Sequence, residues 1–133
     1  MTPAILFDTF KGLIYQDRTK DIEPSGPPWV KERRAIKIVE VGPRDGLQNE
    51  MAPIPTKTKA AFVDVLSETG VGEIEVSAFV SPRRVPQLGD ATQVFGRISR
   101  KDGVIYSALV PNEKGLDRAI ESQVDKVSVF TAV

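Results

Sequence analysis

The chain has 133 residues, enough for one ordinary domain, and its 41% hydrophobic and 27% charged residues are typical of a globular protein. Its 18 basic and 18 acidic side chains give a formal net charge of zero, which does not provide the basic field of a nucleic-acid-binding protein. Histidine and cysteine are both absent, which excludes a thiolate nucleophile, a disulfide framework and a zinc–thiolate site. No segment approaches the ~20 consecutive apolar residues of a membrane helix, so we expect no membrane association.

Residues 1–34 are predicted to form a leader that is separate from the main domain at 35–133. The cluster of prolines and glycine at 24–28 cannot continue a helix or a sheet and marks the boundary. Asp8 interrupts the apolar run at the start of the chain, which is unlike a secretory signal. The acidic residues of the leader argue against a clean mitochondrial presequence, whereas Lys11, Arg18 and Lys20 leave one possible.

The main domain alternates between short β-branched segments and segments with helical periodicity. Strands are predicted at 36–41, 73–79, 104–110 and 124–133. A first helix is predicted from Thr56, as its cap, to about Thr69, with Phe62, Val65 and Leu66 on one face and Gly70 at its end. A second helix is predicted from the helical spacing of Leu88, Ala91, Phe95 and Ile98. A third, with Asn112 as its cap, carries Leu116, Ala119 and Ile120.

Repeated strand–helix units with right-handed crossovers predict a parallel sheet, either an open doubly wound sheet or part of a (β/α)₈ TIM barrel. The first strand–helix turn has no Gly-x-Gly-x-x-Gly motif, and Pro43 removes a backbone donor that a phosphate cradle would use. This pattern favours the barrel. We therefore expect the first half of a ~250-residue barrel, about four parallel strands with intervening helices, ending within the fourth strand.

Arg44 and Asp45 directly follow the first predicted strand, where TIM barrels carry their functional residues. A cation next to a carboxylate favours the ionised acid, which is the form that binds a divalent cation. The guanidinium could also stabilise an enolate oxygen. The alternative is a plain turn, since Gly-Pro and Asp-Gly are common turn dipeptides and an exposed Arg–Asp pair usually contributes little to stability.

Glu75 lies within the second predicted strand, and strict alternation places it on one face with Glu73 and Ser77. A carboxylate that points into a barrel is costly unless it is paired, and Arg44 on the neighbouring strand is an available partner. The alternative is that this face is solvated in another fold.

Three further polar features follow the first two strands. Gln48 could bind a substrate, whereas Asn49 fits better as a residue that holds its own loop. Arg83 and Arg84 lie in a loop stiffened by two prolines and could attract an anionic phosphate, although exposed arginines usually have no specific partner.

The segment Ile38–Glu50, including Gly-Pro-Arg-Asp-Gly-Leu-Gln-Asn-Glu, resembles the amino-terminal signature of the hydroxymethylglutaryl-CoA lyase family. The segments at 74–75, 79–82, 85–90 and 111–115 resemble the next two strands of that family and their loops. The resemblance covers about residues 36–133 and no part of the leader. Related isopropylmalate and homocitrate synthases usually carry Leu-Arg-Asp-Gly-Glu-Gln at the signature, so Pro-Arg-Asp-Gly-Leu-Gln favours the lyase.

The resemblance implies a TIM-barrel lyase that uses Mg²⁺ or Mn²⁺ and cleaves hydroxymethylglutaryl-CoA into acetoacetate and acetyl-CoA, as in leucine breakdown and ketone-body formation. Asp45 would match the family's metal-ligand aspartate, Arg44 the arginine that stabilises the enolate, and Glu75 the acid that supports this arginine. The resemblance further implies an acyl-CoA substrate and a homo-oligomer for the full-length member. The expected compartment is the mitochondrial matrix, with the cytoplasm as the alternative.

The sequence departs from the family at several functional positions. The family's other metal ligands, two histidines and an asparagine, and its catalytic cysteine come from later strands and loops, and this chain has no histidine or cysteine. Ala78 stands where members often have a small hydroxyl residue. We therefore expect a lyase fragment that is inactive alone. The alternative hypothesis is a non-catalytic half-barrel that pairs with itself or with a full-length subunit.

Overall fold

The computed structural model describes residues 36–130, and the predicted leader lies outside this part of the chain. Four strands form one parallel sheet in the order β1–β2–β3–β4. The strands are β1 (Val39–Glu40), β2 (Glu73–Ala78), β3 (Ile105–Leu109) and β4 (Lys126–Ser128). Sequential order in a parallel sheet, with a helix in each crossover, is the arrangement of the first half of a TIM barrel, as predicted.

The helices lie in the three crossovers. They are α1 (Thr56–Ser67), α2 (Ala91–Phe95) and α3 (Glu113–Glu121). A π-helical turn at Gly42–Gly46 follows β1, and a 3₁₀ turn at Pro86–Leu88 precedes α2. Gly70 adopts a φ of +85° just after α1, which is a backbone conformation that glycine adopts without strain. Asn112 caps α3 as predicted, because its side-chain oxygen accepts a 2.9 Å hydrogen bond from the Gly115 amide. In the described range, no helix is both long and apolar enough to cross a bilayer.

The core lies between the helices and one face of the sheet. Tyr106 and Phe79 are among its largest fully buried side chains. Phe79 stacks on Phe95 with ring centroids 5.7 Å apart, and the Tyr106 hydroxyl lies 2.9 Å from Ser67 Oγ. The helix predicted from the spacing of Leu88, Ala91, Phe95 and Ile98 is present but spans only Ala91–Phe95, and all four side chains are buried.

In two helices the apolar residues at helical spacing are only partly buried. In α1, Phe62 and Val65 are 38% and 66% exposed, and Ala60 and Val63 are the buried apolar residues. In α3, Ala119 is buried, but Leu116 and Ile120 are exposed. The apolar arc of each helix is broader than the surface that the other described residues offer to it. Periodicity therefore identified the helices but not which apolar residues they bury.

The two edge strands are shorter than predicted within the described residues, and positions 131–133 of the predicted fourth strand lie outside them. β1 pairs with β2 at two positions, Val39 with Glu73 and Glu40 with Ile74, instead of over 36–41. The register between β2 and β3 shifts between Glu75 and Ser77, because Glu75 pairs with Ser107 and Ser77 with Ala108. This irregularity interrupts the strict alternation that placed Ser77 with the two glutamates.

Gly115 lies where α3 begins and passes very close to the end of β2. A Cβ atom there would be 2.7 Å from the Phe79 carbonyl oxygen, a backbone atom that cannot move away cheaply. We expect Gly115→Ala to destabilise the fold by about 1–3 kcal/mol, which outweighs the helix preference of alanine. Gly72→Ala is the matched control, because nothing lies within 4 Å of the corresponding Cβ position. Chemical denaturation of both variants measures the difference, and equal free energies of unfolding would contradict it.

Candidate active site

The turn that carries Arg44 and Asp45 is built by local hydrogen bonds at the carboxyl end of β1. The backbone amides of Arg44 and Asp45 both donate to the Val41 carbonyl, at 3.1 and 2.7 Å. Pro43 is buried, and the Gly42 amide donates to Glu40 Oε1 at 2.7 Å. A Cβ atom on Gly42 would lie 2.8 Å from the same Glu40 oxygen, so glycine leaves room for this contact. The turn therefore has a defined conformation that presents both charged side chains.

Arg44 is held between two carboxylates. Its Nε donates to Glu75 Oε1 at 2.5 Å, and its Nη1 donates to Asp45 Oδ1 at 2.8 Å. Glu75 is buried, with 8% of its side chain exposed, whereas 20% of Arg44 and 58% of Asp45 remain exposed. The pairing of Arg44 with Glu75, predicted between neighbouring strands, is present. The buried carboxylate fixes one edge of the guanidinium and leaves part of it accessible.

Asp45 is the exposed member of the set, and it offers carboxylate oxygens, which are donors that Mg²⁺ and Mn²⁺ prefer. Among residues 36–130, no cluster of three or more acidic, histidine or cysteine side chains is arranged to hold a metal ion. One aspartate supplies one of about six ligands that Mg²⁺ requires. The described residues thus fit one part of a cation site and not a complete one.

The two amides after the turn behave differently. Asn49 holds its own loop, since its Nδ2 donates to the Asp45 carbonyl at 2.8 Å, as predicted. Gln48 is half-buried, and its predicted role in substrate binding stays a prediction. Arg83 and Arg84 are exposed in the loop that follows β2.

A second charged cluster lies at the start of β2, and its ion pairs were not predicted from the sequence. Glu73, at the start of β2 and 1% exposed, accepts from Lys126 Nζ at 2.9 Å and lies 2.5 Å from Lys37 Nζ. Burial raises the pKa of Glu73, but hydrogen bonds from Lys126, Lys37 and Ser107 outweigh it and lower the pKa to about 2. Strict alternation along the strand predicted that Glu73 and Glu75 share one face. Nothing in the sequence indicated which lysines would contact Glu73.

The comparisons with known proteins identify the family of this chain. The sequence model of the HMGL-like family matches residues 35–133. The chain is 50% identical over 99 residues to a Pseudomonas aeruginosa protein named 3-hydroxy-3-isohexenylglutaryl-CoA/hydroxy-methylglutaryl-CoA lyase, covering 74% of this chain and 33% of that one. It is 50% identical over 97 residues to the mitochondrial hydroxymethylglutaryl-CoA lyase of Gallus gallus, covering 73% and 33%. The chain thus spans about a third of the length of these curated relatives.

Solved structures show the same relationship. The HMG-CoA lyase of Brucella melitensis superposes with a TM-score of 0.70 at 46% identity, covering 73% of this chain and 34% of that one. An HMG-CoA lyase of Acinetobacter baumannii, solved with coenzyme A and 3-methylmalate, superposes with a TM-score of 0.69 at 41% identity, covering 70% and 30%. The family match extends over most of this sequence, and the described fold agrees with it. The chain belongs to the HMGL-like family.

Proposed function

We propose that this chain supplies the β1–β4 part of the active site of a lyase that cleaves hydroxymethylglutaryl-CoA into acetoacetate and acetyl-CoA. The observation that carries the proposal is the Arg44 guanidinium, which the buried Glu75 carboxylate holds next to Asp45 at the carboxyl end of β1. Relatives named as hydroxymethylglutaryl-CoA lyases, and a neighbour solved with coenzyme A, support an acyl-CoA substrate.

The chemistry requires that negative charge on a thioester be stabilised. A base takes the proton of the substrate's tertiary hydroxyl, the adjacent carbon–carbon bond breaks, and a ketone forms at the former hydroxyl carbon. The electron pair of the broken bond moves toward the thioester oxygen as the enolate of acetyl-CoA, which becomes acetyl-CoA when its terminal carbon takes up a proton. A fixed guanidinium stabilises that developing charge, because its donors need no reorganisation at the moment of reaction. In this proposal Arg44 carries that role, Glu75 orients Arg44, and Gln48 contacts the substrate. We assign the base to none of the described residues.

Asp45 is proposed as one ligand of a divalent cation, Mg²⁺ or Mn²⁺. Such a cation, when bound, supplies positive charge beside the substrate oxygens. Residues 36–130 contain no cluster of three or more acidic or histidine side chains that could hold the ion, so the proposal requires further ligands from beyond these residues or from water. We therefore expect the purified 133-residue chain alone to release no acetoacetate.

The test is a chimera in which residues 35–133 replace the matched third of the Pseudomonas aeruginosa relative. We expect the chimera to release acetoacetate from hydroxymethylglutaryl-CoA when Mg²⁺ or Mn²⁺ is supplied, because the grafted turn presents the charges that the reaction requires. The unmodified relative is the positive control. A chimera that folds, as judged by circular dichroism, and shows no turnover would contradict the proposal.

The compartment and the assembly belong to the same proposal. Relatives named as mitochondrial and as cytoplasmic both occur, in Mus musculus and Rattus norvegicus, and a bacterial relative is also similar. We propose the mitochondrial matrix, with the cytoplasm as the alternative, and a homo-oligomer for a complete enzyme.

A further inference from the structure

We propose that Lys59 and Asp90 are positioning residues that hold the turn carrying Arg44 and Asp45, which deepens the proposed function and rests on it. Lys59 belongs to α1, and Asp90 directly precedes α2. The pair therefore joins α1 to the end of the loop that follows β2.

The pair is tightly connected. Lys59 Nζ donates to Asp90 Oδ1 at 2.7 Å and also donates to the Gln87 carbonyl. Thr56 Oγ1, in the first turn of α1, donates to Asp90 Oδ2 at 2.6 Å. These donors reach both carboxylate oxygens of Asp90, so the side chain has a fixed orientation.

Burial makes this connection unusual for an ion pair. Only 8% of the Lys59 side chain and 23% of the Asp90 side chain are exposed. Lysine is rarely buried to this extent unless it is paired. Burial raises the pKa of Asp90, but hydrogen bonds from Lys59 and Thr56 outweigh it and lower that pKa. Apolar residues can often replace a buried ion pair without loss of stability. Stability alone therefore does not explain this pair, and we infer that it fixes the relative position of the segments that it joins.

A chain of hydrogen bonds leads from the pair to the site. Lys59 holds the Gln87 backbone, and Gln87 Nε2 donates to the Glu50 carbonyl at 3.1 Å. The adjacent residue, Asn49, donates from Nδ2 to the Asp45 carbonyl at 2.8 Å. These contacts connect α1 and the loop after β2 to the backbone of Asp45, so a shift of either segment would also move that backbone. Catalytic side chains depend on such supporting contacts for their geometry.

The experiment follows the Arg44 Nε–H proton by NMR in the full 133-residue chain. Three variants interrupt the chain of contacts: Lys59→Met, the double variant Lys59→Met/Asp90→Leu, and Gln87→Ala. In each we expect solvent exchange of the Arg44 Nε–H to become roughly two- to tenfold faster, because at least one supporting hydrogen bond is lost. Exchange is normalised to the Ile105 amide, which donates to the Gly72 carbonyl in the sheet, so that a general loss of stability is removed.

The controls separate positioning from simple stabilisation. Lys101→Met breaks the Lys101–Glu68 pair at 2.6 Å elsewhere on the surface, and should leave the Arg44 proton unchanged. The double variant replaces the buried charges by apolar groups, so it should recover stability while the Arg44 proton still exchanges faster. If Lys59→Met does not fold, the double variant and Gln87→Ala give the answer.

An unchanged normalised exchange rate at Arg44 in folded Gln87→Ala and in the double variant would overturn the proposal. The exchange rates of the Arg44 Nε–H and the Ile105 amide are both measured without any turnover of substrate. An inactive chimera would therefore contradict the proposed lyase function without affecting this result, and an unchanged Arg44 proton would contradict the positioning role without affecting the function.

Discussion

Replacing Arg44 by glutamine in the chimera is expected to lower kcat for acetoacetate release by about 10²–10³-fold, with a much smaller change in KM. The guanidinium is held by Glu75 at 2.5 Å, so its donors are already in place when charge develops on the substrate. Glutamine keeps a polar side chain but loses both the charge and the planar set of donors. Steady-state kinetics at saturating metal measure the effect.

The matched control is Arg97→Gln, which removes an exposed arginine elsewhere on the chain. Its kcat should stay within about twofold of the parent chimera, as for an ordinary surface substitution. A comparable loss of activity in both variants, or an unchanged kcat for Arg44→Gln, would contradict the assigned role.

Glu73→Gln is expected to destabilise the fold near neutral pH by up to about 2–3 kcal/mol and to have little effect near pH 2. The pKa of Glu73 is lowered from 4.5 to about 2 in the fold. Because the folded-state pKa is the lower one, the stabilisation is present above pH 4.5 and is lost as the pH falls toward 2. The shift itself corresponds to about 3 kcal/mol, and the half-exposed lysine partners reduce this value.

Guanidinium unfolding of the wild type and the variant at pH 7, 4 and 2.5 measures this dependence. Glu121→Gln, at an exposed position near the end of α3, serves as the control and should show no comparable convergence at low pH. A stability difference between wild type and Glu73→Gln that stays constant from pH 7 to 2.5 would show that the ion-paired carboxylate does not contribute as described.

Much of the fold could be predicted because its signals are local. The β-branched segments, Asn112 as a cap and Gly70 after α1 each act over a few residues, and each lies where it was expected. The contact of Arg44 with Glu75 could also be predicted, because parallel strands place their carboxyl ends at one edge of the sheet. The roles of these residues in catalysis and metal binding stay predictions.

The remaining features depend on tertiary contacts that a single sequence does not specify. Phe62 and Val65 have the spacing of a buried face, but their burial depends on which surfaces pack against α1. The register shift at Ser77 depends on pairing with β3. Lys59 and Asp90 are 31 residues apart in sequence, and Glu73 is farther still from each of its two lysines, Lys37 and Lys126.

A double-mutant cycle between Arg44 and Glu75 in the chimera tests most directly whether a guanidinium oriented by a buried carboxylate serves the cleavage of an acyl-CoA. The cycle compares kcat for Arg44→Gln, Glu75→Gln and the double variant. If Glu75 acts through Arg44, the double variant should be about as slow as Arg44→Gln alone. Two losses that simply multiply would show that Glu75 acts independently of Arg44 and would contradict the account.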